Sequence, residues 1–152
     1  MKKTLIACML ALPLIAAAAD TEWLPKTNAQ NADFTAGKKA AADKNWQAAV
    51  DAFSRAAKSE PANPDVHNYL GYSYRHMDQM EQSFKHYNEA LRLEPNHRGA
   101  NEYIGWAYLK TTQLGKAEEH LARLEKICGK GCEEYEKLNK GVTDYKAKNG
   151  KS

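Results

Sequence analysis

The sequence predicts an all-α chain of stacked helix hairpins. Three observations carry this. Residues 30–131 divide into three blocks of 34 residues, 30–63, 64–97 and 98–131, that repeat one pattern. Pro61 and Pro95 fall at the same late position of the first two blocks and cannot continue a helix. No stretch shows the apolar–polar alternation of a strand.

The elements follow in chain order. Lys2 and Lys3 precede an apolar run from Leu5 to Ile15, and Ala17-Ala18-Ala19 supplies small residues for cleavage before Asp20. Residues 1–19 therefore read as a secretory signal of bacterial type, with the periplasm or the exterior as destination. The run is too short for a membrane span, so no stable membrane insertion is expected. Leu5-Ile6-Ala7-Cys8 has the form of a lipoprotein box, but four residues between Lys3 and Cys8 are too few for its apolar region. The mature chain, 20–152, has 133 residues, one domain's worth. Without Lys2 and Lys3 it carries 20 basic against 19 acidic residues, which excludes the basic footprint of a nucleic-acid binder. Residues 20–29 are an extended segment in which Trp23-Leu24-Pro25 is apolar; they fit packing against the first hairpin, or seating in a groove of this chain or of a second copy.

Within the blocks, the seventh and eighth residues are Ala36-Gly37, Leu70-Gly71 and Ile104-Gly105. The eleventh is Ala40, Tyr74 and Tyr108, and the twentieth Ala49, Ser83 and Ala117. The twenty-fourth is Phe53, Tyr87 and Leu121, and the twenty-seventh Ala56, Ala90 and Leu124. The thirty-second is Pro61, Pro95 and Gly129. Glycine and small residues let two helices approach, and large residues fill what remains. This pattern resembles the tetratricopeptide repeat (TPR) family in three consecutive copies. The second block is the fullest match. The family's Trp at the fourth position is Asp33, His67 and Asn101 here. Helices are expected at 31–43, 46–59, 64–77, 80–93, 98–111 and 114–127. A seventh, 132–148, has Tyr135, Leu138, Val142 and Tyr145 on one stripe and would cap the open face of the solenoid. Gly141 should weaken it by about 1 kcal/mol relative to alanine. The lysine-rich end, 146–152, should fray, with 149–152 a tail.

The segment Cys128-Gly129-Lys130-Gly131-Cys132 joins the last repeat to the cap. Both glycines are expected at positive φ in a tight helix-to-helix turn. Once Cys8 leaves with the signal, two cysteines remain, and an oxidising compartment favours a Cys128–Cys132 disulfide. Closing so small a loop contributes about 2 kcal/mol. Two functional readings stand beside this staple. Paired thiolates suit Cu(I), although His120 lies about 12 Å along its helix. A redox dithiol would gain from the cap's N-terminus, although Glu133 and Glu134 oppose a thiolate there. Residues 128–135 also look like a segment found at the C-terminus of small exported TPR proteins.

The TPR resemblance implies a right-handed superhelix whose concave face is lined by the first helix of each hairpin. Carried over by position, that face holds Phe34 and Lys38; Asn68, Tyr72, Arg75 and His76; and Glu102, Trp106 and Lys110. Tyr74 and Tyr108 belong to core positions. Tyr72 and Trp106 are aromatics the fold does not require, and beside Lys38, Arg75 and Lys110 they suit a peptide ligand. Cap helix or N-terminal segment over Trp106 is the bland alternative. The positions at which some TPR domains clamp a C-terminal carboxylate hold Phe34, Lys38, Tyr69, Gly99 and Tyr103, and the clamp pattern is absent. No phosphate loop, His-Glu-x-x-His or Gly-x-Ser-x-Gly is present, and the five histidines are scattered. The expectation is a non-enzymatic, exported interaction module without cofactor or metal: an adaptor or assembly factor with a protein or peptide partner, and possible self-association. The competing expectation is a thiol-redox or copper-handling protein using Cys128 and Cys132.

Overall fold

The computed structural model describes residues 31–150. The signal, Cys8 and Trp23-Leu24-Pro25 lie outside the described residues. Among those residues there are seven helices and no strand: α1 Ala32–Ala42, α2 Trp46–Ser59, α3 Pro64–His76, α4 Met80–Leu93, α5 Arg98–Lys110, α6 Leu114–Cys128 and α7 Glu133–Asn149. Each end falls within one residue of the expected one. Helix α7 runs to Asn149, and Lys146 pairs with Glu118 on α6 at 2.5 Å.

Each hairpin turns in the same way. Asn45, Gln79 and Gln113 N–H groups reach back to the Ala40, Tyr74 and Tyr108 carbonyls, while Lys44, Asp78 and Thr112 N–H groups reach Ala41, Arg75 and Leu109. This is the paired bonding of a Schellman end, which needs a left-handed residue. Lys44, Asp78 and Thr112 take that conformation at φ 57°, 60° and 59° without being glycine. The turns are thus held by the hydrogen bonds and by packing against a local backbone preference.

Helices α1, α3, α5 and α7 touch in sequence, whereas α2, α4 and α6 do not touch one another. The row of first helices is therefore the tighter one, and the stack bends towards it. Helix α7 packs on α5 and α6 and continues this inner row.

Close approach explains the repeated glycine. A methyl group on Gly37 would lie 2.6 Å from the Phe53 ring, and one on Gly71 2.6 Å from Tyr87. In the third hairpin the partner changes. Gly105 meets Leu138 of α7, where a methyl would lie 2.5 Å away, and not Leu121 of its own hairpin. Gly141 of α7 in turn receives Trp106 of α5, again leaving 2.5 Å for a methyl. The two helices exchange a side chain and a glycine each.

The fourth position, where the TPR pattern has Trp, is polar and paired in both later hairpins. His67 Nε2 lies 3.1 Å from the Pro61 carbonyl, and its Nδ1 lies 3.1 Å from His86 Nδ1. Asn101 donates to the Pro95 and His97 carbonyls at 3.1 and 3.0 Å, and its Oδ1 accepts from His120 Nδ1 at 2.9 Å. Tyr74 stacks on His86 and Tyr108 on His120.

Candidate peptide-binding groove

The inner face is built by α3 with α1 and α5 beside it. Along α3, Tyr72, Arg75 and His76 follow at helical spacing and share one side. The His76 ring stacks on Trp46 of α2 at 4.1 Å and nearly parallel, with Tyr72 edge-on at 4.5 Å. Tyr72 also meets Tyr103 of α5 at 5.0 Å, and the Arg75 guanidinium lies 5.4 Å from the Tyr72 ring centre. Lys110 bridges α5 to the end of α3: its ammonium sits 2.5 Å from Asp78 and donates to the Arg75 carbonyl at 3.2 Å. Lys38 is exposed, its ammonium 5.8 Å from the Phe34 ring centre. Burial, then Arg75 and Lys110, hold His76 below its ordinary value, so the ring is neutral at pH 7.

Four residues expected in an open groove stand elsewhere. Phe34 is 9% exposed and packs between Phe53 and Tyr69 as core. The first helix lacks a preceding helix among the described residues, and its one large apolar side chain fills its own hairpin. Asn68 is buried. Glu102 is also buried, and burial pushes its carboxyl up to about 7, with Lys137 of α7 pulling against that shift. Trp106 is half-buried against Gly141 and belongs to the α5–α6–α7 cluster. The cap helix covers the third repeat's share of the face, which is the physical reason for both displacements. What the cap leaves uncovered is Lys38, His76 and Lys110, all exposed, with Tyr72 and Arg75 half-buried between them. To these the structure adds Trp46 and Tyr103. Trp46 begins α2 and projects over the end of α3; the only hint in the sequence was its size where the other blocks have Met80 and Leu114.

The Cys128 and Cys132 sulfurs lie 2.04 Å apart, the separation of a disulfide. Only Gly129 of this turn has positive φ, 78°; Gly131 does not, so one left-handed residue suffices to end α6. The Glu134 carboxylate lies within 4.8 Å of both sulfurs. Joined sulfurs offer no thiolate, so a soft-metal set exists here only after reduction. His120 is turned to Asn101 and Tyr108 and is no member of that group.

Residues 64–97 match the family model for the tetratricopeptide repeat. No curated protein matches the chain. Among solved structures it is similar to the TPR2B domain of yeast Sti1 in its pHsp70 complex, with a TM-score of 0.71 and 14% identity over 77% of this chain and 95% of that one. It is similar to the Sgt2 TPR domain from Aspergillus fumigatus, with a TM-score of 0.67 and 22% identity over 76% of each chain. It is also similar to the first TPR of Spaghetti (RPAP3) bound to the HSP90 peptide SRMEEVD, with a TM-score of 0.67 and 18% identity over 76% and 93%. The fold is that of the TPR domains, and the second hairpin fits the family's own sequence model.

Proposed function

We propose that this chain is an exported interaction module, an adaptor or assembly factor of the periplasm, that holds a segment of a partner protein along its inner face. The observation that carries this is the Trp46–His76–Tyr72 ring cluster with Arg75 and Lys110 beside it. Of these side chains only Trp46 packs on a core cluster, and half-exposed rings flanked by cations anchor peptides. Neighbours of the same fold were solved with Hsp70 and HSP90 peptides. Their ligand type does not carry over. Gly99 brings no cation to the clamp positions, and Phe34, Tyr69 and Tyr103 bring rings packed among themselves and their neighbours. The partner segment is therefore an internal, extended or helical one, not a terminal carboxylate. Export rests on residues 1–19.

The test is site-specific crosslinking from position 76 in export-competent cells, followed by affinity measurement on the captured segment. Tyr72→Ala and Arg75→Ala should each weaken binding about tenfold or more. Equal capture from Asp51 on the outer row, with no effect of Tyr72→Ala, sinks the groove. In this reading the cysteines are a staple. Replacing both by serine should lower stability by about 2 kcal/mol and leave partner binding unchanged. Partner binding lost with the cysteines, or free thiols in the exported protein, would favour thiol or copper chemistry instead.

A further inference from the structure

Between the first turns of α3 and α5 lies a cavity of about 540 Å³. Asp65, Glu94 and Glu134 stand around it, and Tyr69 and Tyr103 contribute ring walls. Asn68 borders it, 4% exposed, and its Oδ1 is buried without a hydrogen-bond partner among the described residues. Such an acceptor costs free energy until a donor reaches it. Gly99 lies against the nitrogen of the same amide: a methyl there would lie 3.1 Å from Asn68 Nδ2, so the glycine permits this close approach of α5 to α3.

The sign of the charge is set by the surroundings. The chain's own cations are already drawn in: Arg98, half-exposed, lies 3.6 Å from Glu134, and His97 Nε2 lies 3.1 Å from Asp65. The phenols sense the same field. Burial and then Asp65 push Tyr69 up, and burial and then Glu102 push Tyr103 up to about 12. The N-termini of α3, α5 and α7 favour an anion, but Asp65 and Glu134 already stand in the first turns of α3 and α7, and in α5 the Ala100 N–H is taken by His97 Nδ1 at 3.1 Å.

We infer that this cavity receives an arginine side chain of the segment held in the groove. One guanidinium N–H donates to Asn68 Oδ1, the Glu134 and Asp65 carboxylates balance the charge, and the Tyr69 and Tyr103 rings flank the plane. The inference rests on the groove reading for the source of that side chain, and reverses the charge preference of a carboxylate clamp.

The probe is N-acetyl-arginine methylamide, titrated into the isotope-labelled mature protein and followed by amide shifts in two-dimensional NMR. The citrulline and glutamate analogues are the neutral and anionic controls. Saturable shifts at the Asn68 side chain and the Gly99 amide are expected with arginine alone. Asn68→Leu should weaken the probe about tenfold. Arg98→Ala removes the competing cation and should tighten it about two- to fivefold. Absence of saturable shifts, equal binding of citrulline, or preference for glutamate overturns the inference. Should Asn68→Leu fail to fold, Arg98→Ala decides by itself, because unchanged or weaker binding there is equally fatal. The probe needs no partner protein. Its failure leaves the Tyr72 and Arg75 experiment standing, and failure of that experiment with normal probe binding removes only the groove.

Discussion

The second and third hairpins solve one packing problem in two ways. In the second, Gly71 is closed by Tyr87 of the same hairpin, and the polar slot is a pair of histidines beside Pro61. In the third, Gly105 is closed by Leu138 from α7, and the slot holds Asn101 and His120 beside Pro95. The slots correspond residue for residue. In both, the side chain at the fourth position meets the carbonyl of the preceding repeat's proline and pairs with a histidine one helix away. The third slot is the more buried: Asn101 is 0% and His120 7% exposed. A hairpin that completes its own core leaves its inner face free for a ligand. One that borrows its core from the cap has that face covered.

Truncation of the borrowed residue tests this first. Leu138→Ala is expected to cost about 3 kcal/mol in urea unfolding. Hydrogen exchange should accelerate in α5 and α6 and remain slow in α3 and α4. Equal acceleration in α3 and α4 would mean that the second hairpin depends on the cap as well.

The polar slots separate next. Asn101→Ala strips partners from two carbonyls and a buried imidazole and should cost about 2–3 kcal/mol. His67→Ala, at a half-buried position, should cost about 1 kcal/mol. Equal costs in the same urea assay would remove burial as the distinction.

Gly141→Ala sharpens the exchange between α5 and α7. Helix propensity alone favours alanine by about 1 kcal/mol, but the methyl would strike Trp106, and overpacking costs about 1–3 kcal/mol. A net loss of about 1 kcal/mol is expected, with a change in tryptophan fluorescence. A gain would show that Trp106 is free to move out towards the groove.

The smallest effects depend on pH. Burial holds His86 and His120 at about 4, below the 6.5 of an unfolded chain. The unfolded state therefore binds more protons between those values, and their contribution to stability is lost as pH falls from 6.5 to 4. Glu102, at about 7 when folded, works in the opposite direction from pH 7 down to its unfolded value near 4.5, and His97, raised by Asp65, has that same sign above 6.5, where its contribution is lost as pH rises. Thermal melts across this range should show His120→Gln flattening the acid slope and Glu102→Gln steepening it. Glu102→Gln should also raise Tm at pH 8 and not at pH 4.5.

The sequence by itself determined the helices. A period of 34, small residues where helices cross and prolines that stop them are local or short-range signals, and each helix stands within a residue of its expected limits. Open and covered parts of the inner face were not legible. Trp106 occupies the same repeat position as the exposed Lys38, whereas Phe34, Asn68 and Glu102 share one position and are all buried; what covers each is a neighbour, Phe53 and Tyr69 around Phe34 and α7 over Glu102 and Trp106. Trp46 joined the site for the same reason, by crossing from the outer row to stack on His76. Gly141 read as a weak point in an isolated helix and is a socket in the folded chain. Repeat position fixes which way a side chain leaves its helix. Only the tertiary structure decides what stands in its way, because burial is a property of two surfaces and periodicity describes one.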